Sequence, residues 1–115
     1  MTWSVVDDET ALKLREQKGT HLILFFASGD PPWCPDCRDV DPTIRKVFDN
    51  NSSPTLNVVK VGDRPTWKDP SNKWRSEPYR VSEIPTLIQL VDGKEKKRLL
   101  QADLESEEKL RELIQ

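Results

Sequence analysis

The chain has 115 residues, a third of them charged, nine of them prolines, with a formal net charge of -2. That length suits a single domain over residues 1–115 with a modest core, and the near-neutral balance gives no reason to expect nucleic acid or an anionic membrane as partner. No apolar run approaches the roughly 20 residues of a membrane span. The opening Met1-Thr2-Trp3-Ser4 shows no basic segment leading into an apolar one, so no signal peptide is expected and the cytoplasm is the expected location.

Residues 3–6 are short and apolar and predict an edge strand. Asp7 or Asp8 can cap a helix with a narrow apolar face of Ala11, Leu12 and Leu14, closed by Gly19 just past its end. Residues 21–27 are nearly all apolar and predict a central strand, buried on both faces and parallel to its neighbours. Ser28-Gly29-Asp30-Pro31-Pro32 breaks it. A helix opens around Cys34 and Pro35, since proline fits the first helical position. Val40, Ile44, Val47 and Phe48 recur at helical spacing on its buried face, and Pro42 is expected to kink it. Residues 50–54 read as a turn and residues 56–61 as a β-branched strand. Residues 62–78 are irregular, with a short helix over 72–77. Residues 86–91 form a strand, Asp92-Gly93 a hairpin turn, and residues 95–101 pair back antiparallel. Asp103 or Ser106 caps a last helix with Leu104, Leu110, Leu113 and Ile114 inward. Strands alternating with helices predict an α/β architecture with a mainly parallel sheet covered on both faces and an antiparallel hairpin at one edge.

The only two cysteines stand in Trp33-Cys34-Pro35-Asp36-Cys37. Three residues apart, they lie one turn apart if the second half is helical. In a reducing compartment such a pair is catalytic or metal-binding more often than structural. A zinc site lacks ligands, because only His21 is available to join the two thiols within one chain, and it begins a buried strand. A site shared between two chains stays open. No metal or other cofactor is expected. In thiol–disulfide exchange the thiolate is the nucleophile. Cys34, at the helix start, is expected to be more exposed and more acidic than Cys37, to attack the substrate disulfide, and to be released by Cys37. Asp36 has two readings: a charge that disfavours thiolate formation, or an ordinary first-turn acid complementing the helix dipole. Trp67, Trp74 and Tyr79 either line a substrate groove or pin an irregular loop to the sheet. Lys60 either reaches toward the cysteines or is a solvated strand end.

A strand, a tryptophan, Cys-x-x-Cys and a helix with Pro42 five residues past the second cysteine resemble thioredoxin. So does Ile84-Pro85-Thr86 just before a strand. The resemblance implies a thioredoxin fold, with a central mixed sheet of four or five strands and helices on both faces. It implies a cis bond before Pro85, the proline facing the dithiol, and a substrate strand pairing with the backbone of Ile84. The chain is more similar still to the fourteen-kilodalton thioredoxin-related proteins, in Trp33-Cys34-Pro35-Asp36-Cys37, in Val61-Gly62-Asp63-Arg64-Pro65-Thr66-Trp67-Lys68-Asp69-Pro70, and in Val81-Ser82-Glu83-Ile84-Pro85-Thr86-Leu87. That resemblance runs over residues 22–91. It implies a monomeric cytosolic reductase of protein or small-molecule disulfides, recharged by an NADPH-dependent thioredoxin reductase, with Cys34 and Cys37 catalytic, Trp33, Pro35, Asp36 and Pro85 in support, and Ile84 and Trp67 toward the substrate. Two departures stand out. Leu24 occupies the place of thioredoxin's buried Asp, leaving Asp36 or water to take the resolving thiol's proton, and the loop 28–32 is shorter than that subgroup leads one to expect. The alternative class is a redox-responsive binding module whose dithiol is a switch without turnover.

Overall fold

A computed structural model describes residues 3–49 and 54–114. The turn expected at 50–54 falls mostly outside them. Five strands form one sheet in the order β1-β3-β2-β4-β5: β1 (Trp3–Val5), β2 (Thr20–Phe26), β3 (Leu56–Lys60), β4 (Thr86–Val91) and β5 (Lys94–Leu99). Between them run α1 (Asp8–Lys13), α2 (Pro35–Phe48) and α3 (Arg64–Lys68), and after them α4 (Gln101–Leu104) and α5 (Glu107–Leu113).

The apolar run of β2 takes the centre of the sheet. Residues 22–26 are buried on both faces, which leaves alternate side chains to two separate layers. Phe26 points to the layer of α2: its ring meets Trp3 edge-on at 5.6 Å, and Trp3 in turn lies under the Arg45 guanidinium at 3.9 Å. Phe25 points the other way, to Trp74 at 5.5 Å and Tyr79 at 5.2 Å. The Tyr79 hydroxyl donates to the carbonyl of Ala11, so α1 belongs to this second layer. α4 and α5 pack with α2 on the first.

The sheet is mixed, as the resemblance to thioredoxin implies, whereas the strand–helix alternation alone suggests a mainly parallel one. β2 is parallel to β3 and β3 to β1, but β4 lies antiparallel to β2, and β5 antiparallel to β4. Parallel neighbours need a crossover from one end of the sheet to the other. The connection from β3 to β4 instead returns to the end at which β3 finishes, because Lys60 pairs with Phe26 and Thr86, which opens β4, with Phe25.

Several local expectations also change. Asp7 caps α1 through a 2.8 Å bond from Thr10 N–H, but Leu12 is 41% exposed, leaving Ala11 and Leu14 as the buried face. α1 passes into a 3-10 turn at Leu14–Glu16 and stops before Gly19. Gly19, at φ +90, serves the sheet instead: its N–H donates to Asp92 Oδ1 at 2.7 Å. Asp92 and Gly93 both have positive φ, as a tight hairpin turn requires. A Cβ on Gly93 would meet Arg15 O at 2.2 Å, so that turn also needs glycine for close packing. The expected helix over 72–77 is only a 3-10 turn at Lys73–Arg75, and α3 forms earlier, capped by Asp63 accepting from Thr66 N–H at 3.0 Å. The last helix is two. Asp103 in α4 accepts from Leu100 N–H at 3.1 Å, and Ser106 caps α5 by accepting from Lys109 N–H at 3.2 Å.

Candidate active site

β2, the loop after it and α2 deliver the two thiols to the end of the sheet where β2 and β3 finish. Cys34 is the N-cap of α2, with extended backbone (φ -85, ψ 121), and Pro35 takes the first helical position. Its missing N–H costs nothing there. Arg38 N–H to Cys34 O at 3.1 Å closes the first turn. The Cys34 side chain makes no capping hydrogen bond to the first-turn N–H groups.

Cys34 is 8% exposed and Cys37 is fully buried, and neither is in a disulfide. Of the two, only Cys34 keeps any residual exposure, and it is the one nearer a substrate. Burial is the main cause that pushes the Cys37 thiol well above its ordinary range. A backbone hydrogen bond at Ala27 works against this, while Cys34 and the charge of Asp36 add to it. Cys34 Sγ lies 4.0 Å from the carbonyl oxygen of Ile84, and the Ile84–Pro85 bond is cis. The dithiol and the segment before β4, fifty residues apart in sequence, therefore meet. Trp33 is half-buried beside the pair, and its indole Nε1–H donates to Gly62 O at 2.8 Å. Arg38 is held by a 2.6 Å bond from Nη1 to Pro32 O. Pro35 and Asp36 are exposed.

The remaining candidates fall elsewhere. Trp67 is 3% exposed under the Arg75 guanidinium, 3.9 Å from its centre, and Arg75 Nε donates to Trp67 O at 2.7 Å. With Trp74 and Tyr79 against Phe25, the aromatic rings of residues 67–79 are buried and fasten the irregular segment to the second layer. Lys60 is half-buried, its ammonium 5.4 Å from the centre of the Phe26 ring. His21 is near the start of β2, away from the thiols, with Nε2 3.1 Å from Lys18 O. Leu24 is fully buried and points, like Phe26, into the layer of α2, where it offers no carboxylate. Among the described residues no group of three or more His, Cys, Asp or Glu side chains is placed to hold a metal ion. None of the described helices is long and apolar enough to cross a membrane.

Sequence reasoning missed Gly62 and Ser28. Gly62 N–H donates to Ser28 Oγ at 2.9 Å, and Gly62 O receives both Trp33 Nε1–H and Ser28 N–H. The available signal was a glycine placed just after a strand, a common mark of close backbone approach.

A family profile described as "Thioredoxin domain-containing protein 17-like, thioredoxin domain" matches residues 2–115. Thioredoxin-like protein Clot of Oryza sativa is 36% identical over 88 residues, 68% of this chain and 63% of that protein. Thioredoxin domain-containing protein 17 of Danio rerio is 31% identical over 87 residues, covering 70% and 69%. The X-ray structure of Fasciola hepatica thioredoxin superposes with a TM-score of 0.61 at 26% identity, over 99% of this chain and 96% of that one. The match thus spans less than two thirds of the Oryza relative.

Proposed function

Because the chain belongs to the thioredoxin domain-containing protein 17-like family, we propose that it reduces disulfides of proteins or small molecules through Cys34 and Cys37. The observation that carries this reading is the asymmetry of the pair: a sulfur with residual exposure at the N-terminus of α2, and a fully buried, proton-retaining sulfur one turn further in. The Cys34 thiolate attacks one sulfur of the substrate. A Cys34–substrate bond forms, the substrate disulfide breaks, and the released thiolate takes up a proton. Cys37 then gives up its proton and attacks Cys34 Sγ, and the second substrate sulfur leaves as a thiol. Two electrons pass to the substrate and a Cys34–Cys37 disulfide remains. The high retention of the Cys37 proton makes its removal part of the second step. With Leu24 in the buried position, the departing substrate thiolate, Asp36 or water receives it.

The Ile84 carbonyl beside Cys34 suits an extended substrate segment pairing along the backbone before β4, with Pro85 shaping that segment. Trp67, buried under Arg75, suits the role of holding the neighbouring segment in place. We assign regeneration of the dithiol to an NADPH-dependent thioredoxin reductase in the cytoplasm. The test is NADPH consumption with that reductase and a disulfide substrate such as insulin. Turnover dependent on both cysteines is expected. Redox-dependent binding of a partner with no turnover would instead make the dithiol a switch.

A further inference from the structure

The segment that carries Trp33 into Cys34 is not held by regular structure. Residues 27–34 lie between β2 and α2 and contain no helix or strand. Four hydrogen bonds within this segment and its neighbourhood run among Ser28, Trp33 and Gly62, beside the bond from Arg38 Nη1 to Pro32 O. Ser28 N–H donates to Gly62 O at 3.3 Å, and Gly62 N–H returns to Ser28 Oγ at 2.9 Å. Trp33 N–H donates to Ser28 O at 3.3 Å, and Trp33 Nε1–H to Gly62 O at 2.8 Å. The two ends of the loop are thus tied to one residue on the neighbouring strand's exit. A side chain at that residue would be both strained and crowded. Gly62 has φ +109, and a Cβ there would stand 2.7 Å from Thr66 Cγ2 and 2.9 Å from Thr66 Cβ. Thr66 is in turn fixed as the donor to the Asp63 cap of α3.

We propose that Ser28 and Gly62 are positioning residues for the dithiol, holding Trp33, and through it Cys34, in register with Cys37 for the resolving attack. The inference rests on the dithiol reading above. Its physical content is that the resolving step is intramolecular and its rate follows how closely the two sulfurs are held in line, whereas the first attack draws on a substrate from solution. Arg38, bonded to Pro32 O, ties the loop to α2 from the other side. Releasing the Ser28–Gly62–Trp33 ties lets Cys34 move relative to Cys37 without removing either thiol.

The test uses the reduced 115-residue chain and 4,4′-dithiodipyridine, whose stoichiometric reaction needs no reductase. The first, bimolecular release of thiopyridone reports attack by Cys34. The second, unimolecular release reports resolution by Cys37. Ser28→Ala removes one acceptor, and Trp33→Phe removes the indole donor while keeping a ring. Each is expected to slow the second phase by about threefold to tenfold, the size of one modest hydrogen bond expressed as a rate. The first phase should change by less than about twofold on that argument. Ile88→Val, a truncation in the fully buried core, serves as the control for lost stability and should leave both phases unchanged. A second phase at the wild-type rate in both variants overturns the proposal, whatever their denaturation midpoints. So does slowing of the same size in Ile88→Val. Absence of a second phase from the unmodified protein would instead overturn the dithiol mechanism itself.

Discussion

Cys37 keeps its proton in the folded chain far beyond the ordinary thiol value of 9.0, chiefly because burial disfavours the thiolate. Tyr79, buried and donating to Ala11 O, is pushed by burial from 10.0 up to about 12. In both cases the folded state holds a proton that the unfolded chain releases first. Their contribution to stability is therefore complete below the ordinary values and is lost as pH rises above them. The reduced protein should hold its denaturation midpoint up to the ordinary thiol value of 9.0 and lose it progressively as pH rises further. The oxidised protein, in which Cys37 no longer titrates, should fall later and less steeply. Identical profiles for the two states would mean that the buried thiol does not govern alkaline stability. Asp36 adds to the retention of the Cys37 proton. In a Cys34→Ser background, Asp36→Asn should accordingly speed alkylation of Cys37 at a fixed alkaline pH, and an unchanged or slower rate would contradict that assignment. Sequence left Asp36 with two readings because its effect depends on the depth of the sulfur beside it, a quantity no spacing reveals.

At the scale of elements, sequence pattern found what local chemistry determines. The apolar run of β2, the Pro35 start and buried face of α2, and the Asp92-Gly93 turn were legible because each rests on residues adjacent in the chain. The direction of β4 was not, since it depends on where the long connection from β3 returns. Nor was the outward turn of Leu12, because a helix of six residues presents too few apolar positions to define a face. α3 went unseen even though Asp63 and Pro65 mark its start, the surrounding prolines and aromatic residues having suggested only irregular structure. Its packing against Gly62 yields a test. Gly62→Ala places a side chain at φ +109 and against Thr66. That should cost about 1–3 kcal/mol, read as a lower midpoint in chemical denaturation. Pairing it with Thr66→Ser, which removes the Cγ2 contact, should recover part of the loss. A Gly62→Ala protein as stable as the original would show that the β3–α3 junction is free to shift.

At the scale of the whole molecule, the fold joins three stretches that sequence leaves far apart: the dithiol, the Ile84–Pro85 segment and the junction at Gly62. The first two were recognisable as motifs with a role, whereas the stretch around Gly62 was recognisable only as a family motif and its role only as contacts. The central claim, that the pair is a two-step reductant with divided roles, is tested most directly by removing each sulfur and looking for the covalent intermediate. Attack by Cys34 leaves the substrate attached until Cys37 releases it, and that release is fast because the attacking sulfur is held nearby. The decisive measurement is reductase-coupled turnover together with non-reducing mass analysis of captured substrate, for Cys37→Ser and Cys34→Ser. The account predicts that Cys37→Ser loses turnover and accumulates mixed disulfides through Cys34, while Cys34→Ser loses turnover and captures nothing. Normal multiple turnover by Cys37→Ser, or capture by Cys34→Ser through Cys37, would contradict it.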